Sequence, residues 1–168
     1  MKRLKYQWKK YREAGQSFVE LAIGMTVLIT LLSGLFDVGR AYLFLVAVEN
    51  AAAEGALYGA IRPQCIAPDR AETVCQGIES ITGRVIEEGK PIITISEEYI
   101  TLSLEESGSV VAITSGDQIV AGQTLLVNVK YTYSPVTPFG FMIWGEKATV
   151  NASARQPILS PPRPGTMN

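Results

Sequence analysis

The stretch from Leu21 to Phe36 carries no charged residue, and no other feature limits this chain's fold as strongly. Counted from Phe18, a helix over it is roughly 28 Å long, close to the hydrocarbon thickness of one bilayer. A basic leader precedes it, with Lys2, Arg3, Lys5, Lys9, Lys10 and Arg12. Basic residues on that flank predict that the N-terminus stays in the cytoplasm and that the chain beyond Asp37 lies outside. One carboxylate stands at the edge of the span: Glu20, in Gly15-Gln16-Ser17-Phe18-Val19-Glu20. A charge there costs free energy unless something pairs with it, so Glu20 asks for a functional account. Two simpler readings stand beside the functional one. The span is longer than the apolar core of an ordinary secretory signal, although the small residues Ala47–Ala53 offer a cleavage region. It also fits an uncleaved signal anchor, with Glu20 reaching toward the headgroups.

Composition narrows the rest. The sequence has 168 residues, enough for one modest domain and an anchor. There is no histidine and the net charge is -1, which removes the commonest general base and metal ligand and gives no case for nucleic acid. With no nucleophile motif and no phosphate loop, no enzyme and no cofactor are expected. The acidic pairs Glu87-Glu88, Glu97-Glu98 and Glu105-Glu106 read as solvated faces and turns, so no metal is expected either.

Beyond the span the helical pattern continues. No proline occurs from Asp37 to Ile61, and alanines at 41, 47, 51, 52, 53, 56 and 60 favour helix. The rod should end at Arg62-Pro63. Gly24, Gly34, Gly55 and Gly59 are its candidate packing positions, since small residues let a neighbour approach closely. For Gly55 and Gly59 that neighbour is either another chain or this chain's own head. Asp37 and Arg40 are spaced to form an ion pair at the membrane boundary. A second helix is expected from an Asp69–Glu72 capping box, with Val74, Ile78, Ile81 and Val85 as its buried stripe and Gly89 and Pro91 as its stop.

After Pro91 the period changes to two. Tyr99–Leu104 alternates. Leu125, Val127, Val129, Tyr131 and Tyr133 fall on one face, as do Ala148, Val150, Ala152 and Ala154. These predict an antiparallel sheet covered on one side by the helices. Ser134–Gly140 reads as a loop with an aromatic tip running on to Phe141 and Trp144, either a contact patch or core. Ser115-Gly116-Asp117 reads as a turn, and Pro157–Asn168 as an extended or disordered tail. Cys65 and Cys75, in an extracytoplasmic setting, are expected to form a disulfide, with two free buried thiols as the other reading. The expected fold is α+β, a long N-terminal helix with a transmembrane first half and a short second helix packed on an antiparallel β-sheet head. Its parts are a leader 1–15, a helix 16–61 crossing at about 18–36, a head 62–155 and a tail 156–168.

This order of features resembles the class III signal and body of the type IV pilin superfamily, and within it the TadE-like pseudopilins of the tight adherence (Flp, type IVc) system. Gly15–Glu20 resembles the processing site and first turn. Phe36-Asp37-Val38-Gly39-Arg40 resembles the boundary segment, Ala51–Ala56 the small-residue stretch, and the strands ending at Tyr133 and Arg155 the family's end. The resemblance implies a pilin-like fold and cleavage between Gly15 and Gln16 by a prepilin peptidase. It also implies that Glu20 pairs with the new amino group of Gln16 to set filament register. The implied partners are that peptidase, other pilins or pseudopilins through the helix, the inner-membrane assembly platform, and the lipid bilayer before assembly. Because the family's major pilins are smaller and nearly headless, a minor subunit that joins, primes or caps the pilus is implied. A filament's main subunit and a single-pass envelope scaffold that never polymerises are the other readings.

Overall fold

The computed structural model describes residues 2–66, 75–106, 108–113 and 119–159, with side chains from residue 15 onward. Helix α1 occupies Lys2–Ile61, so helix begins ahead of Gln16. It stops where the sequence predicts: Arg62, held off helical angles by the following proline, has φ -121° and ψ 67°. Among the described residues, α1 is the one helix long and apolar enough to cross a membrane, and only 6% of its apolar window is buried. The chain forms two compact units. One takes in α1 up to Gly39 with Pro135–Glu146, the other α1 from Arg40 with the chain to Ser134 and from Lys147 onward.

The second unit is the α+β head. Its sheet contains β1 (Ile100–Glu106), β2 (Ser109–Ala112), β3 (Thr124–Tyr133) and β4 (Ala148–Pro157), all antiparallel in the order β2-β1-β3-β4. In β3 the inward residues are Leu125, Val127, Val129, Tyr131 and Tyr133, as the alternation requires. They meet the small-residue face of α1, where Ala47, Val48, Ala51, Ala52, Ala56 and Ala60 are buried. Pairs of buried residues recurring every four positions keep one stripe on the sheet side. Gly55 and Gly59 lie in that stripe. A Cβ on Gly55 would stand 2.4 Å from Val85 Cγ2, and one on Gly59 2.3 Å from Leu125 Cδ2. Within the chain, then, these glycines pack the helix against its own head.

Helix α2 (Ile81–Gly89) completes the cover with Ile81 and Val85 buried. Here the expected second helix needs correction. It starts at Ile81, capped by Ser80, whose hydroxyl accepts the Gly83 N–H at 2.9 Å. The preceding Gly77–Glu79 is a 3-10 turn, and Ile78 is exposed rather than part of the stripe. Gly77 has φ +59°, which breaks the continuous helix the apolar spacing suggested. The Asp69–Glu72 box, Val74 and the Ser115–Asp117 turn lie outside the described residues. The tail reading is corrected at its start. Pro157 ends β4, and Ile158 is buried and exchanges backbone hydrogen bonds with Gly122 and Gln123.

The first unit corrects the aromatic loop. Pro138–Trp144 is a short helix, α3, with Thr137 as N-cap and Pro138 at its start. Its Phe139 ring lies against α1 at Gly34, where a Cβ would come within 2.5 Å of Phe139 Cδ1.

Candidate functional site

The N-terminal motif sits on an exposed helical surface. Gln16 and Glu20 share one face, and Gln16 Nε2 donates to Glu20 Oε1 at 3.2 Å. Helical side chains lean toward the N-terminus, so the Glu20 carboxylate reaches back over residue 16. Phe18, Val19, Leu21 and Ile23 are exposed around it. A Cβ on Gly15 or Gly24 would meet no atom within 4 Å, so both leave room for an outside neighbour. Thr26 and Thr30 each return their hydroxyl to the carbonyl one turn back, at 2.9 and 2.8 Å, so no polar hydrogen there needs water.

At the end of the apolar run, Asp37 is 2% exposed. Its carboxylate accepts the N–H groups of Val136 and Thr137, both at 3.1 Å, and the Thr137 hydroxyl. That same hydroxyl accepts the Gly140 N–H at 3.2 Å and so caps α3. A hydroxyl both donates and accepts, which is what this position demands. Gly140 is required by the close approach: a Cβ there would stand 2.1 Å from Asp37 Oδ2. Asp37 thus ties Pro135–Gly140 to α1. Arg40, its expected partner, places its guanidinium 5.3 Å from the centre of the Phe44 ring, in the other unit.

In the head, four side chains converge at the end of α1. The Tyr58 hydroxyl lies 2.9 Å from Glu79 Oε2 and 2.8 Å from the Glu79 carbonyl oxygen. Arg62 Nη1 donates to Tyr58 Oη and to Glu79 Oε2, at 2.9 and 2.7 Å. The guanidinium carbons of Arg62 and Arg84 lie 5.1 and 4.9 Å from the Tyr58 ring centre. The Tyr58 hydrogen bond, then the neighbouring guanidiniums, hold the Glu79 carboxyl below its ordinary range. Burial, then the bond to Glu79, raises the Tyr58 hydroxyl. Beside this cluster Cys65 and Cys75 are joined by a disulfide with Cα atoms 5.5 Å apart. In the loop-closure account a ring this short stabilises by about 2–3 kcal/mol. The cluster and the disulfide both fasten the Gln76–Ser80 turn to the end of α1.

Sequence reading found Asp37 and missed what it binds. The Thr137-Pro138 cap-and-start pair was the available signal for α3. The pair of Tyr58 and Arg62 was missed as well; their spacing of four on a helix was the available signal, whereas Glu79 carried no local mark.

An exposed apolar helix continuing into a small disulfide-bonded α+β head defines the class: a protein with, among the described residues, one candidate membrane anchor and a compact head. The comparison with family models agrees with the anchor half. Residues 15–57 match the family described as TadE-like protein. No curated protein and no solved structure matches the chain.

Proposed function

We propose that this chain is a structural, pilin-like subunit associated with a Tad (type IVc) pilus. It is made as a single-pass inner-membrane protein, N-terminus in, and cut after Gly15 by a prepilin peptidase. It then joins, primes or caps an extracytoplasmic filament that serves adherence. Its part is that of a substrate and building block rather than a catalyst. The observation that carries this reading is the coincidence at Gly15. The family match begins at that residue, the exposed apolar surface follows directly, and Glu20 lies on the face of Gln16. Once Gln16 carries a free amino group, Glu20 supplies the nearest carboxylate on its own helix. Paired out of water, the two charges relieve each other's desolvation, within one subunit or between neighbours. The open surface at Gly24 gives other pilin helices a place to pack.

The test is the N-terminal sequence and intact mass of the chain from native cells, in sheared surface material and in membranes. A chain beginning at Gln16 in the sheared fraction is the expected result. A chain beginning at Met1 and confined to membranes overturns the proposal and leaves an anchored envelope protein. Glu20→Ala should keep the cut and lose the chain from the sheared fraction; normal incorporation would sink the role given to Glu20.

A further inference from the structure

We propose that α3 is a second membrane-contacting element, a short interfacial helix that lies in the leaflet at the C-terminal end of the α1 span. From Tyr131 to Gly145 the sequence carries no charge. Within the first unit α3 is attached to α1 by two contacts that fix its depth. Phe139 packs on Gly34, inside the apolar run, and the 136–137 backbone is bound to Asp37 where that run ends. Gly34 precedes Asp37 by less than one helical turn, roughly 4.5 Å along the axis. The start of α3 therefore sits at the level where α1 passes from acyl chains to headgroups.

The face α3 turns outward is apolar. On α3, Phe141, Met142 and Ile143 are 44%, 77% and 52% exposed, and Val136, just before the helix, is 61% exposed. On α1 in the same unit, Leu35, Phe36 and Val38 are exposed at the same level. If lipid covers one set, the other lies in the same layer. Several polar groups at the start of α3 are bonded within the unit. Asp37 takes two backbone N–H groups and the Thr137 hydroxyl, and Thr137 takes the Gly140 N–H. Backbone can enter the edge of a bilayer only when its hydrogen bonds are satisfied in this way. Trp144, apolar with one polar N–H, suits the boundary, where amphipathic aromatic rings collect. With 7 residues α3 is only about 10 Å long, too short to cross a bilayer, so contact with lipid places it in the interface.

The inference rests on α1 spanning a bilayer and on no later step of processing or assembly. Its test uses the full chain, with Cys65–Cys75 bonded, in phosphatidylethanolamine and phosphatidylglycerol vesicles. A nitroxide is placed in turn at Met142→Cys, at Leu28→Cys in mid-span, and at Asn151→Cys on the outer face of β4. Collision rates with dissolved oxygen and with a water-soluble nickel chelate then report depth. The expected oxygen-to-nickel ratio at Met142 falls between those at Leu28 and Asn151. A Met142 ratio equal to that at Asn151, with Leu28 in the acyl region, overturns the inference alone. Low collision with both reagents at Met142 means that protein covers α3, and overturns it too. An aqueous Leu28 removes the span and this inference together.

Discussion

At the scale of single residues, hydroxyl and carboxyl groups are used as joints. Tyr58 and Glu79 give the head a pH signature. The Glu79 carboxyl is held below its usual 4.5 in the folded chain, so its stabilisation is present above that pH and is lost as pH falls through the lower folded value. Tyr58 is raised above 10.0, so its contribution is present below pH 10.0 and is lost as pH climbs through the higher folded value. The head should therefore show a stability plateau between those limits, measured as denaturation midpoints of the full chain in detergent. Tyr58→Phe should lower the plateau, remove this residue's alkaline limb and weaken the acid one. An unchanged profile in that variant would show that the cluster contributes no pH-dependent stability. Asp37 is the other joint, and Thr137→Val isolates it: the shape is kept, while the bond to Asp37 and the cap on α3 are both lost. The loss of a cap alone costs about 1 kcal/mol, and a hydrogen bond to a charged group about 1.5–3 kcal/mol. Amide exchange at Val136, Thr137 and Gly140 should accelerate accordingly, with exchange in β3 unchanged.

At the scale of elements, the buried stripe of α1 is built from alanine and glycine because β3 and α2 come so close. Gly59→Ala tests this. Alanine improves helix propensity by about 1 kcal/mol. Its Cβ, however, would stand 2.3 Å from Leu125 Cδ2 and 2.9 Å from Ile81 Cδ1, both on fully packed side chains. Overpacking of a tight core costs about 1–3 kcal/mol, so the net change should be destabilising, read as a lower denaturant midpoint. A stabilised variant would mean that Leu125 and Ile81 yield freely. The stripe itself was legible, because small residues in a helical frame admit few other uses. The strand faces of β3 and β4 were legible because one side is mostly polar, Leu126 being the apolar exception within β3. The start of α2 was not, because Ile78 fits the apolar period while Gly77, at φ +59°, breaks the backbone that would use it. Helix α3 was hidden by the prolines at and before its start: Pro135 and Pro138 read as a loop, although Pro138 occupies the first turn of a helix, where its missing N–H costs nothing. Edge strand β2 was also unforeseen, since its four residues, Ser109–Ala112, are all exposed and show no alternation in burial.

At the scale of the whole molecule, the core and the candidate span draw on different residues. Every residue of the main hydrophobic cluster, from Ala47 to Ile158, belongs to the unit that begins at Arg40. The exposed apolar residues from Phe18 to Phe36 belong to the other. The sheet, the Tyr58 cluster and the disulfide all lie within one unit, whereas Pro135–Glu146 shares the other with Asp37 and loses that carboxylate when Asp37 is removed. A chain beginning at Arg40 should then keep the head. Its circular dichroism should show mixed helix and strand with one cooperative transition, and reducing Cys65–Cys75 should lower its stability by about 2–3 kcal/mol. In the same truncated chain, the Val136, Thr137 and Gly140 amides should exchange at the rates of an undocked segment. Loss of the cooperative transition would show that the head depends on the span. Persistent protection of Val136 and Thr137 without Asp37 would show that the segment is held by something other than the carboxylate.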